Sequence, residues 1–128
     1  MRNKKNILIV DDSKVEQKLL KTFLEKEGFN VFSASTVSEG LYMLGNNDIG
    51  MVFVDFYLAG INTGKALVDK LKKYKVDVHI YAISSSEESS RELLEAGCDD
   101  IIPKDPKKIK EFLNENFKSL IHNKGSDT

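Results

Sequence analysis

Apolar residues follow two rhythms along this chain. Five short runs, at residues 7–10, 31–34, 51–54, 78–83 and 101–102, are rich in Val, Ile and Phe. Such runs predict strands buried on both faces, as in a parallel sheet. Between the runs the apolar positions recur at helical spacing. Val15, Leu19, Leu20, Phe23 and Leu24 share one predicted helix face, and Ile109, Phe112, Leu113, Leu120 and Ile121 share another near the end.

Start and stop signals fall where these helices need them. Ser13 with Glu16, Thr36 with Glu39, and Ser85 with Glu88 each match a capping box. Asp105 followed by Pro106 supplies an N-cap and a first-turn proline for the last helix, and Gly28 stops the first. Five β–α repeats predict an α/β fold: a doubly wound, five-stranded parallel sheet with helices on both faces. One domain is expected over residues 1–122, with the polar residues 123–128 as a frayed tail. No second domain, internal repeat or low-complexity segment is expected.

Composition narrows the classes. The 128 residues are 41% apolar and 30% charged, enough for one unstapled core. A net charge of −1 gives no general attraction to nucleic acid or to an anionic membrane. "KLKKYK" lacks an accompanying aromatic or arginine cluster and reads as a solvated face. No apolar run has the length of a signal peptide or a membrane span. The lone Cys98 cannot form an internal disulfide, which fits a reducing compartment, and it is expected to pack before the last strand. The expected setting is soluble and cytoplasmic. P-loop, dinucleotide, zinc and catalytic-triad motifs are absent.

The chemistry sits at strand ends. "ILIVDD" runs a buried strand into Asp11 and Asp12, and "MVFVD" ends another at Asp55. Open parallel sheets bind ligands beyond the carboxyl ends of their strands, where strand order reverses. With order 2-1-3-4-5 that point lies between strands one and three, so the three acids should converge. Their crowded carboxylates suit a hard divalent cation with oxygen ligands, Mg2+ above all, with Mn2+ able to substitute. Ser84 ends strand four and Lys104 follows strand five. A cation site, an ammonium and a hydroxyl together suit a phosphoryl group, with Asp55 placed to be the nucleophile.

On the pair Asp11-Asp12, the Asp55 motif, Ser84 and the "EAGCDDIIPK" run ending in Lys104, the chain resembles a receiver domain of the two-component response regulator family. The match runs from Ile7 to about Leu120 and implies the flavodoxin-like order 2-1-3-4-5. By that resemblance Asp55 is the phosphoacceptor. Asp12 holds Mg2+ directly, Asp11 through water, and the backbone carbonyl of Tyr57 completes the shell. Ser84 and Lys104 contact the phosphoryl oxygens. The implied partners are a histidine kinase or histidine phosphotransfer protein and a downstream protein target. The expected protein is stand-alone, with slow dephosphorylation of its own but no conventional turnover.

Several positions depart from the family pattern. Ala59 stands where proline is usual, and Thr63 where glycine is usual, with Gly64 one place later. The stretch from Ser84 to Gly97 is about two residues short by this alignment, Ile101 occupies the aromatic switch position, and Asp105 replaces the proline after the lysine. A receiver-like protein-binding module that works without phosphorylation is therefore the alternative. A Mg2+-dependent phosphatase is disfavoured by Tyr57 standing where its second acid belongs. His79 is expected to be packed or at an edge, and His122 carries no signal.

Overall fold

The computed structural model describes residues 2–84 and 86–120. Ser85 with its expected cap, Ile121, His122 and residues 123–128 lie outside the described residues, as does the side chain of Leu120. In chain order the elements are β1 (Asn6–Val10), α1 (Lys14–Lys26), β2 (Asn30–Ala34), α2 (Val37–Asn46), β3 (Met51–Val54), α3 (Gly64–Lys73), β4 (His79–Ser84), α4 (Glu87–Ala96), β5 (Asp100–Pro103) and α5 (Pro106–Asn116). A short 3-10 turn, Lys118–Leu120, follows. All five strands pair in parallel in the order β2-β1-β3-β4-β5, as expected.

Two cores form because strand side chains alternate between faces. Leu8, Val10, Val52, Val54, Ile80 and Ala82 point to one side, where α2, α3 and α4 contribute Leu44, Leu67, Val68, Leu71 and Leu93. Ile7, Ile9, Met51, Phe53, Tyr81 and Ile83 point to the other, against Leu24 of α1 and Ile109 and Leu113 of α5. This division follows from the strand order. The chain steps from β1 to β2 in one direction and thereafter in the other, and right-handed crossovers then place α1 apart from α2, α3 and α4.

The helix ends bear out the Ser13, Thr36 and Asp105 caps, the last with the Lys107 N–H donating to Asp105 Oδ1, and correct one other. Ser13 Oγ accepts the Glu16 N–H and Thr36 Oγ1 accepts the Glu39 N–H. The return bonds differ: Glu39 accepts from Ser35 rather than Thr36, and the Ser13 N–H donates to Asp11 Oδ1. Helix α4 is capped by Ser86, whose Oγ accepts the Ser89 N–H at 3.3 Å. The cap thus falls one residue after the expected Ser85, because any serine of the run can cap and the backbone selects among them. Gly28, with φ of +100°, takes the left-handed conformation that ends α1.

The predicted apolar face of α1 is rotated in the structure. Leu24 is buried and Leu20 and Phe23 partly so, but Val15 and Leu19 remain 69% and 65% exposed. Gln17 is buried in their place. Cys98 is buried as expected, and burial, with Asp99 adding and Lys72 opposing, pushes its thiol up to about 12. His79 is packed, its ring stacked on Tyr81 and its Nδ1 3.2 Å from the Tyr81 hydroxyl. No described helix is long and apolar enough to cross a membrane.

Candidate functional site

Sheet register brings the acids together. Val10 and Val54 are paired neighbours on β1 and β3, so the next residues, Asp11 and Asp55, leave the sheet side by side. The ladder continues one step further, with the Asp55 N–H donating to the Val10 carbonyl at 2.9 Å and the Asp11 N–H to the Ala34 carbonyl at 3.1 Å. Asp12 follows on the exposed side. Carboxylate oxygens of Asp11, Asp12 and Asp55 lie within 4.8 Å of one another, and Asp11 and Asp55 are buried. An all-oxygen donor set with two buried charges suits a hard divalent cation.

The cationic side of the site comes from the same sheet edge. Ser84 pairs with Pro103 across β4 and β5, and Lys104 is the next residue along. Its ammonium lies 2.7 Å from Asp55 Oδ2 and 3.0 Å from Asp11 Oδ2. Glu16, in the first turn of α1, completes the ring with Oε1 at 3.0 Å and Oε2 at 3.1 Å. Burial alone lowers the Lys104 ammonium, but its hydrogen bonds to Asp55, Asp11 and Glu16 outweigh that and hold it above the ordinary lysine range. It remains charged at any physiological pH. No described peptide bond is cis, including the one between Lys104 and Asp105.

Ser84 is buried at the end of β4 and engaged locally, donating to the Ser86 carbonyl and accepting the Ser86 N–H, each at 3.1 Å. The Tyr57 N–H approaches Asp55 Oδ1 at 3.4 Å, while the Tyr57 side chain is exposed. Every predicted site residue therefore stands at the carboxyl edge of the sheet or in the loops leaving it.

Two contributors escaped the sequence reading. Glu16 looked like half of a capping box, yet its carboxylate reaches Lys104, 88 residues away. Gln17 sends its amide to the Asp11 carbonyl at 2.5 Å, the Ala34 carbonyl at 3.2 Å and Ser35 Oγ at 3.0 Å, tying the ends of β1 and β2 together. A polar residue interrupting the apolar stripe of α1 was the available signal.

Gly64 shows why a glycine follows Asp55 at this distance. Its N–H donates to the Phe56 carbonyl at 2.7 Å, and a Cβ at this position would overlap the Asp55 carbonyl oxygen. Gly64→Ala must displace the backbone that carries Asp55. It is expected to cost about 1–3 kcal/mol, measured by urea denaturation of the two proteins side by side. Stability equal to the parent would show that the loop yields freely.

A parallel sheet reversing beside three acids and a lysine defines a class of site, and comparison with known proteins identifies the class. The chain matches the response regulator receiver domain over residues 7–114 and belongs to that family. It is 34% identical over 99 residues to the transcriptional regulatory protein SrrA of Staphylococcus aureus, covering 77% of this chain and 41% of that protein. The chain thus spans about two fifths of the length of that relative. A CheY-like receiver domain protein from Methanospirillum hungatei superposes with a TM-score of 0.77 at 30% identity, over 92% of this chain and 97% of that one. A Francisella response regulator receiver domain shares the fold, with a TM-score of 0.76 at 24% identity, over 89% and 97% of the two chains.

Proposed function

We propose that Asp55 accepts a phosphoryl group, in a Mg2+-dependent reaction, from a histidine kinase or histidine phosphotransfer protein, and that the phosphorylated domain signals to a downstream protein. The observation that carries this is the Lys104 ammonium 2.7 Å from Asp55 Oδ2, beside the three-carboxylate cluster. Asp11, Asp12 and Asp55 would hold the cation, with the Tyr57 carbonyl completing its shell. When bound, Mg2+ supplies positive charge opposite the phosphoryl oxygens.

The residues divide the transfer among them. A carboxylate oxygen of Asp55 attacks phosphorus. The phosphorus–nitrogen bond of the donor phosphohistidine breaks, and its electron pair stays on that imidazole nitrogen, the ring leaving neutral with its proton on the other nitrogen. Lys104 donates to a phosphoryl oxygen and offsets the charge on it. Ser84 turns from its local pairing with Ser86 to donate to another. Beside this site a cleft of about 130 Å³ runs between α1 and the start of α5, with Leu19, Leu20, Pro106 and Ile109 on its apolar side. Exposed Val15 and Leu19 extend that surface, which suits a donor protein delivering its histidine to Asp55. Ile101 is stiff at χ1 and carries no ring, so the response is confined to the surroundings of Asp55, Ser84 and Lys104.

Incubation with Mg2+ and a small phosphodonor such as phosphoramidate, read by intact mass, tests the proposal. A single, slowly lost phosphate is expected. No incorporation would favour the phosphorylation-independent binding module, and rapid release of phosphate over many turnovers would favour a phosphatase.

A further inference from the structure

An ammonium has three N–H donors, and Lys104 has three carboxylates around it. Two of them, on Asp11 and Asp55, belong to the cluster able to hold a cation. The third, on Glu16, does not, and it meets Lys104 with both oxygens, at 3.0 and 3.1 Å. The Glu16 side chain is 44% exposed and rises from the first turn of α1, whereas Lys104 follows β5. Their contact is therefore a tie between two segments that meet at the site.

The three partners have different fates during phosphoryl transfer. One carboxylate oxygen of Asp55 bonds to phosphorus and becomes part of an acyl phosphate, and Asp11 would be engaged by the cation. Glu16 takes part in neither event. On the receiver function proposed above, we propose that Glu16 is a positioning residue that holds the Lys104 ammonium beside the reacting oxygen of Asp55 while its other two partners change. A lysine side chain has four rotatable carbon–carbon bonds, and a flexible cation contributes less at a transition state than one already in place. Glu16 acts through Lys104 and makes no bond to the phosphoryl group.

A first-turn acid also favours its helix through the N-terminal dipole, so the test must separate that structural effect from positioning. Phosphate incorporation from phosphoramidate at saturating Mg2+ is compared in the parent, Glu16→Gln, Lys104→Met and the double variant. Glu16→Gln is expected to slow incorporation about three- to tenfold and to change nothing in the Lys104→Met background. An unchanged or faster rate overturns the proposal, and so does an equal loss in both backgrounds.

The Lys104 side-chain ammonium signal by NMR gives a readout independent of activity. It is expected to shift in Glu16→Gln without phosphodonor or metal, and a signal that stays in place overturns the proposal by itself. A parent protein that incorporates no phosphate would refute the receiver function instead, leaving the ammonium signal to decide the role of Glu16.

Discussion

Asp55→Asn is expected to reduce phosphate incorporation to background while the fold survives. An amide oxygen is nearly isosteric with a carboxylate oxygen but lacks the negative charge that makes it a nucleophile. The remaining apparatus would stay, since Lys104 keeps Asp11 and Glu16 as partners. The substitution also removes one of the charges crowded at the end of β3. Melting in metal-free buffer should therefore be equal to the parent or higher, because like charges in a partly buried site repel. Intact mass with and without phosphodonor, together with a melting curve, checks both halves. Phosphate retained by the asparagine variant would place the acceptor on another residue.

Mg2+ or Mn2+ should raise the melting temperature, and Asp12→Ala should remove the rise. A ligand that binds only the folded state stabilises it by mass action. At a metal concentration ten times the dissociation constant, the gain is about 1.4 kcal/mol, or about 5 °C for a domain of this size. Asp12 carries the more selective test. It is the exposed member of the cluster, and it has no part in the ion pairs that fix Lys104. Its removal should leave the metal-free melting temperature nearly unchanged and abolish the response to metal. A melting temperature indifferent to millimolar Mg2+ would count against the cation site.

The strands and the acids that end them were legible in the sequence because both depend on local pattern. An unbroken apolar run closed by an acid, as at Val54 and Asp55, has few readings in a parallel sheet. The position of Lys104 was legible for the same reason, through the short run before it. Glu16 was not. A first-turn glutamate three residues after a serine satisfies a local rule whether or not a lysine from the other end of the chain awaits it. The rotation of α1 escaped for a related reason. Helical period places Val15, Leu19, Leu20, Phe23 and Leu24 on one broad face but does not say where the sheet beneath it ends. Beyond that edge lie the carbonyls of Asp11 and Ala34, which call for an amide such as that of Gln17. The choice of Ser86 as cap turned on backbone conformation, which a run of identical residues leaves open.

The placement of the two halves of the site on the sheet has a mechanical consequence. Asp11 and Asp55 leave β1 and β3, which are interior strands, paired on both sides and buried almost throughout. Lys104 leaves β5, an edge strand of four residues paired on one side only. Local opening is cheapest where backbone pairing is sparse and dearest in the middle of a sheet. The crevice therefore works like a vice with one fixed jaw and one sliding jaw. The acids form the fixed jaw, and the lysine stands on the edge strand, where local opening costs least.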